Sequence, residues 1–289
     1  MSSDPLFRLL SPDRLISVVD IGANPVDGAA PYQPLLDLAV CHLTGFEPLD
    51  AAREALESTK GDYENYLPYA VGDGKTHTLH VCRASGMTSL LKPDVRMLRQ
   101  FNLFPDFGEV TSTRQVETKR LDDIDEISAI DFLKIDIQGS ELTAFQSGRV
   151  KLNSCVVIQT EVSFQLLYED QPTFCEVDSE LKSQGFQLHA FQHIKRWGLA
   201  PLVVNENPRA GMNQLLEADA VYVRSLMFEH LLDSNQLKHL CLILHHCYES
   251  FDLALKCILE LQDRGHLAPG SEVEYLRLLP VQAACHFPR

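Results

Sequence analysis

The chain has 289 residues, of which 45% are apolar and 22% are charged, which is enough for one large domain or for a domain with an extension. Its net charge of −15 opposes binding to nucleic-acid backbones, and no apolar run is long enough for a membrane span. The first residues lack the basic start and apolar core of a secretory signal, and the eight cysteines contain no C-x-x-C pair. We therefore expect a cytoplasmic protein with reduced thiols.

Strand and helix patterns alternate through the first two thirds of the sequence. Apolar runs predict strands at 15–20, 44–47, 66–71, 131–137, 154–161, 186–191 and 218–223. Helical spacing predicts helices at 34–43, at 94–99, from 141 onward and at 174–184. Segments 76–82 and 109–119 alternate with a period of two and predict an inserted β excursion. The alternation as a whole predicts an α/β fold with a Rossmann-like, doubly wound and mostly parallel sheet.

Beyond about residue 225 the apolar residues keep a helical period. Leu237, Leu240 and Leu244 follow this spacing, and a second run begins at Phe251. We therefore predict a sheet domain at 1–225 and a helical C-terminal extension at 226–289. The apolar faces of these helices need a partner, and a homodimer through them would supply one.

An acid and a glycine follow the first predicted strand. A dinucleotide-binding fingerprint places its first glycine directly after the strand, whereas here Asp20 comes first and Asn24 replaces the second glycine. In Rossmann-like enzymes that use S-adenosylmethionine (SAM), such an acid and glycine face the methionine part of the cofactor. The residues predicted to contact SAM here are Asp20, Gly22, Ala23 and Asn24; an ordinary strand-to-helix turn is the alternative.

Two further acids follow the next predicted strands. Glu47 lies at the end of the second strand, where a carboxylate can accept hydrogen bonds from both ribose hydroxyls. Asp73 follows the third strand and is a candidate for the adenine edge, although a turn residue in Gly-Asp-Gly would look the same. The sequence therefore predicts Glu47 and Asp73 as further cofactor-binding residues.

The candidate catalytic residues lie at the ends of the fourth and fifth predicted strands. Asp136 and Glu161 are placed there as base or acceptor-orienting groups, with Glu141 behind them. Carboxylates on neighbouring strands can also hold a divalent cation, but their spacing is not diagnostic and no metal is expected.

Taken in order, the motifs resemble the FkbM family of SAM-dependent methyltransferases over about residues 15–225. The motifs that carry the resemblance are Val19-Asp20-Ile21-Gly22-Ala23-Asn24, Gly45-Phe46-Glu47-Pro48, Tyr69-Ala70-Val71-Gly72-Asp73, Leu121-Asp122-Asp123, Lys134-Ile135-Asp136-Ile137-Gln138-Gly139-Ser140-Glu141 and Glu161. Two departures stand out: Gln138 occupies a position that is commonly acidic in the family, and the first loop, from Asn24 to Tyr32, is longer. The resemblance implies methyl transfer, commonly to a hydroxyl of a sugar or of a polyketide-like small molecule.

The resulting expectation is a SAM-dependent O-methyltransferase acting on a carbohydrate or other small molecule, with no nucleic-acid partner. An alternative is a SAM-binding module without turnover, whose helical tail mediates assembly; the tail and the missing acid at position 138 motivate it. A nicotinamide dehydrogenase is disfavoured by the absent G-x-G.

Overall fold

The computed structural model describes residues 3–23, 28–225 and 232–280. Its strands are β1 Ile16–Ile21, β2 Cys41–Phe46, β3 Glu64–Leu67, β4 Ala70–Val71, β5 Thr76–Cys82, β6 Val110–Lys119, β7 Phe132–Ile135, β8 Val157–Ser163, β9 Phe186–Arg196 and β10 Leu215–Arg224. Its helices are α1 Pro5–Leu10, α2 Gln33–Asp37, α3 Asp50–Thr59, α4 Val95–Leu98, α5 Phe104–Phe107, α6 Glu141–Ser147, α7 Phe174–Ser183, α8 Ser234–Tyr248, α9 Phe251–Asp263 and α10 Ser271–Leu276.

Seven of the strands form the central sheet, in the order β3-β2-β1-β7-β8-β10-β9. The first five run parallel, whereas β10 is antiparallel to both of its neighbours. The strand order reverses between β1 and β7, and ligands of open α/β sheets bind at such a switch point, beyond the carboxyl ends of the strands. This topology confirms the predicted Rossmann-like, mostly parallel fold.

Several predicted elements differ in extent from those in the structure. The predicted helix at 34–43 ends early, since Ala39 has a φ of 53° and β2 begins at Cys41. The predicted strand at 66–71 is two strands in different sheets, because Pro68 has no N–H to donate to a ladder. Helix α3 was not predicted, and none of its residues is buried. The inserted excursion is a three-stranded sheet in the order β4-β6-β5.

One face of the central sheet carries an apolar cluster that includes the C-terminal helices. Val18 of β1 and Phe132 of β7 belong to it, together with Leu240 of α8 and Ile258 of α9. The apolar faces of α8 and α9 are thus covered within this chain, α8 by the sheet and α9 by α8 and α10, which removes the reason for expecting a second copy there. The homodimer and the domain boundary at residue 225, next to the undescribed residues 226–231, remain predictions.

A buried carboxylate ties α8 to the sheet. Asp131, at the start of β7, is fully buried and accepts hydrogen bonds from Arg14 at 2.5 and 2.9 Å and from the Ser17 backbone N–H at 2.7 Å. The ring nitrogen Nδ1 of His239 lies 3.0 Å from the same carboxylate. Burial alone would raise the pKa of Asp131, but His239 and Arg14 together hold it below its usual value.

The opposite face of the sheet is covered by α6 and α7, with Phe145 and Leu181 in its apolar cluster. Helix α7 matches its prediction closely, because Thr173 and Glu176 form reciprocal capping bonds and Gly185 follows with a φ of 87°. Across all described segments, no helix has the length and apolar character needed to cross a bilayer.

Candidate active site

A cavity of about 1040 Å³ lies over the carboxyl ends of the parallel strands. Asp20 at the end of β1, Glu47 after β2 and Asp136 after β7 all line it. Since the ends of parallel strands meet at one edge of the sheet, these residues come together although they are distant in sequence. The structure thus joins the two strand-end motifs in a single site.

The carboxylate of Asp20 interacts with two neighbouring side chains. Its side chain is almost fully buried; Oδ2 accepts a 2.6 Å hydrogen bond from the hydroxyl of Tyr32, and Oδ1 lies 3.3 Å from Nζ of Lys134. Burial alone would lower the pKa of Lys134, but Asp20 and Asp136 raise it above its ordinary value. The carboxylate is therefore fixed in orientation, and an incoming ammonium would meet a group that is already paired on one side.

The turn after β1 is pinned between its two neighbouring strands. The backbone N–H groups of Gly22 and Ala23 both donate to the carbonyl of Phe46 at 3.1 Å. Gly22 has a φ of 84°, and a Cβ atom there would lie 2.0 Å from the backbone oxygen of Asp136. Glycine is therefore required at position 22 by the close approach of the backbone that follows β7. Gly22 and Ala23 line the cavity, whereas Asn24 lies outside the described residues.

Glu47 and Asp73 lie in different surroundings. Glu47 is 5% exposed, its Oε1 accepts a 2.7 Å bond from the Leu49 backbone N–H, and burial raises its pKa. Asp73 lies in the turn between β4 and β5, where it accepts bonds from His77 at 2.7 Å and from the Lys75 backbone N–H at 3.0 Å. The residues found to line the cavity include Glu47 but not Asp73.

Gln138 bridges two of the predicted catalytic carboxylates. Its amide nitrogen donates to Asp136 and to Glu161, both at 2.9 Å. Its side-chain oxygen accepts a 3.0 Å bond from the hydroxyl of Tyr168, and its backbone oxygen accepts a 2.7 Å bond from Ser89. A neutral amide therefore occupies this commonly acidic position and separates the two carboxylates.

Glu161 lies behind this bridge, away from the cavity lining. Lys195 is 3.9 Å from Glu161 and 2.9 Å from Glu217. Burial, followed by the nearby charges of Asp136 and Glu217, raises the pKa of Glu161 well above its usual value. Glu161 thus accepts a hydrogen bond from Gln138 and is not among the residues found to line the cavity. Within the described ranges, no group of three or more His, Cys, Asp or Glu side chains is arranged to bind a metal ion.

Glu141 supports the turn that follows β7. Its Oε1 accepts bonds from the backbone N–H groups of Ile137 at 2.9 Å and Gly139 at 3.1 Å, and burial raises its pKa to about 7. It does not appear among the cavity-lining residues. Of the three predicted catalytic residues, the structure therefore brings only Asp136 to the described cavity wall.

Sequence reasoning missed a polar chain that crosses the sheet face. The hydroxyl of Tyr248, at the end of α8, donates to Gln159 at 2.8 Å, and the Gln159 amide nitrogen donates to Asp219 at 3.2 Å. All three residues line the cavity. A signal was present in the strands, because polar residues recur at every second position of β8 and β10, as at Gln159 and Glu161.

The strand order and the acid-lined cavity at the switch point define a Rossmann-like, class I methyltransferase architecture. A family model described as "Methyltransferase FkbM domain" matches residues 20–188, more than half of the chain. The chain therefore belongs to the FkbM family of SAM-dependent methyltransferases, which confirms the resemblance drawn from its motifs.

Solved structures with a similar fold are distant from this chain. A precorrin-6y C5,15-methyltransferase from Geobacter metallireducens shares 10% identity over 76% of this chain and 86% of its own, with a TM-score of 0.39. Magnesium protoporphyrin IX methyltransferase from Synechocystis, with bound SAM, shares 10% identity over 73% and 71%, with a TM-score of 0.37. No match was found among curated protein sequences. At these values, neither structure bears on substrate or mechanism.

Proposed function

We propose that this protein transfers the methyl group of SAM to a hydroxyl oxygen of a carbohydrate or another small molecule in the cytoplasm. The observation that carries the proposal is that Asp20, Glu47 and Asp136 face one cavity at the switch point of the sheet. Family membership supports methyl transfer, and the carboxylate next to the predicted acceptor position supports oxygen as the atom that is methylated.

The cavity residues fit SAM by their chemistry. One carboxylate oxygen of Glu47 is held by the Leu49 backbone N–H, which leaves the other available to the ribose hydroxyls. Asp20 provides a fixed negative charge for the methionine ammonium. When bound, SAM supplies an electrophilic methyl group on a sulfonium.

Asp136 is the cavity-lining carboxylate at the acceptor side, and we assign it the role of general base. Its Oδ1 accepts the amide of Gln138, and this bond restricts how the carboxylate can rotate. From that position it would accept the proton of the attacking hydroxyl, a contribution typically of about 10² to 10⁴-fold in rate. The turn after β7, which Glu141 holds through the Ile137 and Gly139 N–H groups, would also keep the acceptor in line for displacement.

Two experiments test this function. Calorimetry with SAM should show at least about tenfold weaker binding for Asp20→Ala and for Glu47→Ala, because each removes charge-assisted hydrogen bonds. Asp125→Ala, at an exposed acid away from the cavity, is the matched control. If either cavity variant kept SAM affinity within about threefold of wild type, the assigned cofactor pocket would be wrong.

Transfer of labelled methyl from SAM to a panel of glycosides and hydroxylated small molecules tests turnover. We expect methyl ethers, and we expect Asp136→Asn to abolish their formation while SAM still binds. Tight SAM binding with no product from any acceptor would favour the non-catalytic module instead. The apolar faces of α8 and α9, which motivated that alternative, are packed within this chain, α8 on the sheet and α9 on α8 and α10.

A further inference from the structure

The wall of the cavity is strongly acidic. Among the described residues that line it, six are acidic and two are lysines: Asp20, Glu47, Glu64, Asp136, Asp219, Glu249, Lys134 and Lys195. SAM carries a positive sulfonium and a positive ammonium, but also a negative carboxylate of its own. Bound SAM would therefore offset only a small part of the negative charge of the wall. A neutral acceptor would leave the rest uncompensated in a partly desolvated site, which is costly.

The two lysines form their ion pairs with carboxylates other than Asp136 and Asp219. Lys134 is paired with Asp20 at 3.3 Å, and Lys195 is paired with Glu217 at 2.9 Å. Neither Asp136 nor Asp219 lies within ion-pair distance of a lysine, arginine or histidine in the described parts of the chain. Both carboxylates thus face the cavity with hydrogen bonds from neutral amides only.

Strand register sets these two carboxylates on either side of Glu161. Asp219 of β10 pairs directly with Glu161 of β8, and Gln138 links Glu161 to Asp136 beyond β7. Glu161 itself is buried beneath Gln138 and Lys195, so a ligand above β8 would meet Asp136 on one side and Asp219 on the other.

Asp219 is also held in a fixed orientation. The hydrogen-bonded series from Tyr248 through Gln159 ends on its Oδ2, and within the described segments no side chain donates to Oδ1. Burial and then the charge of Asp136 raise the pKa of Asp219, against the opposite effect of the more distant His193, Lys195 and Lys134. At the floor of the cavity, in the half assigned to SAM, the buried Oδ1 of Asp20 lies 3.3 Å from Nζ of Lys134.

We infer that the acceptor carries a protonated amine, which Asp219 binds while the neighbouring hydroxyl is presented to Asp136. The chemical class is an amino sugar or a similar amino alcohol. This inference rests on the proposed function, because it concerns the acceptor half of the same cavity.

The test compares ligands that differ only in this charge. Protein saturated with S-adenosylhomocysteine is titrated with glucosamine and glucose, and with galactosamine and galactose, below the amine pKa, by calorimetry and ligand-observed NMR. N-acetylglucosamine, which keeps the nitrogen but not the charge, is a further neutral control. We expect the amines to bind at least about tenfold more tightly than their neutral counterparts.

Asp219→Asn should remove this preference and leave S-adenosylhomocysteine affinity unchanged, which also shows that the variant is folded. Asp125→Asn makes the same change in net charge at an exposed position and should keep the preference. Equal binding of amines and neutral sugars, binding of no amine, or a preference that survives in Asp219→Asn would overturn the inference. Failure of S-adenosylhomocysteine itself to bind would instead count against the proposed function.

Discussion

Replacing Glu141 with Gln should make the protein more stable at alkaline pH. Burial raises the pKa of Glu141 from 4.5 to about 7, so the folded state binds this proton more tightly than the unfolded state does. The stabilisation from this group is complete below the unfolded pKa and is lost as pH rises through the folded value. Above that value, a buried carboxylate remains charged.

The size of the effect follows from that shift. Each pKa unit corresponds to about 1.4 kcal/mol, so the charged Glu141 costs the fold about 3 kcal/mol above the folded pKa. Gln keeps a carbonyl oxygen that can accept from the Ile137 and Gly139 backbone N–H groups, but it carries no charge. The variant and the wild type should therefore have similar stability in acid and diverge in the variant's favour as pH rises.

Urea unfolding of both proteins across this range measures the difference. Other buried acids titrate in both proteins, so their contributions largely cancel in the difference between the two free energies of unfolding. Glu176→Gln is a matched control for which we expect the opposite pH dependence of stability. Bonds from Thr173, at the exposed start of α7, lower the pKa of Glu176. A difference between Glu141→Gln and wild type that stays constant with pH would refute this account of Glu141.

Two further substitutions test how the site is held in place. Asp131→Asn should lower the free energy of unfolding by about 3 kcal/mol in urea titrations, because Arg14 and His239 lose their shared carboxylate; a loss below about 1 kcal/mol would contradict this. Gly22→Ala should cost more than about 2 kcal/mol, because its Cβ would collide with the backbone oxygen of Asp136. Thermal unfolding measures the second change, and an unaltered melting temperature would show that the β1 turn is not constrained as described.

Much of the fold could be predicted because parallel strands buried on both faces leave continuous apolar runs. The strand ends at Asp20 and Asp136 were visible in this way, since an acid and a glycine break each run. Helix α3 was missed; it buries no residue, and Leu56 is its one large apolar side chain. The break in the segment at 66–71 follows locally from Pro68, whereas the sheet that each half joins is a long-range property.

The site was predictable only where a residue ends a strand. Tyr32 and Tyr248 reach the cavity from segments whose local pattern says nothing about SAM, and their partners are distant in sequence. Glu141 and Glu161 were predicted from their motifs, but the motif could not show that backbone bonds and Gln138 place them behind the cavity wall. The type of side chain near the site was thus easier to predict than whether that side chain reaches the cavity.

The packing of α8 against the first strands also bears on the order in which the protein folds. Asn235 bonds to the backbone of Asp13, 222 residues away in sequence, and Tyr248 completes the cavity wall over β8. Contacts between residues so far apart in sequence form late in folding, because the intervening chain must first lose its conformational freedom. During synthesis, the sheet edge that we propose binds SAM would emerge long before the cavity wall is complete. We therefore expect ligand affinity to be among the last properties that a newly made chain acquires.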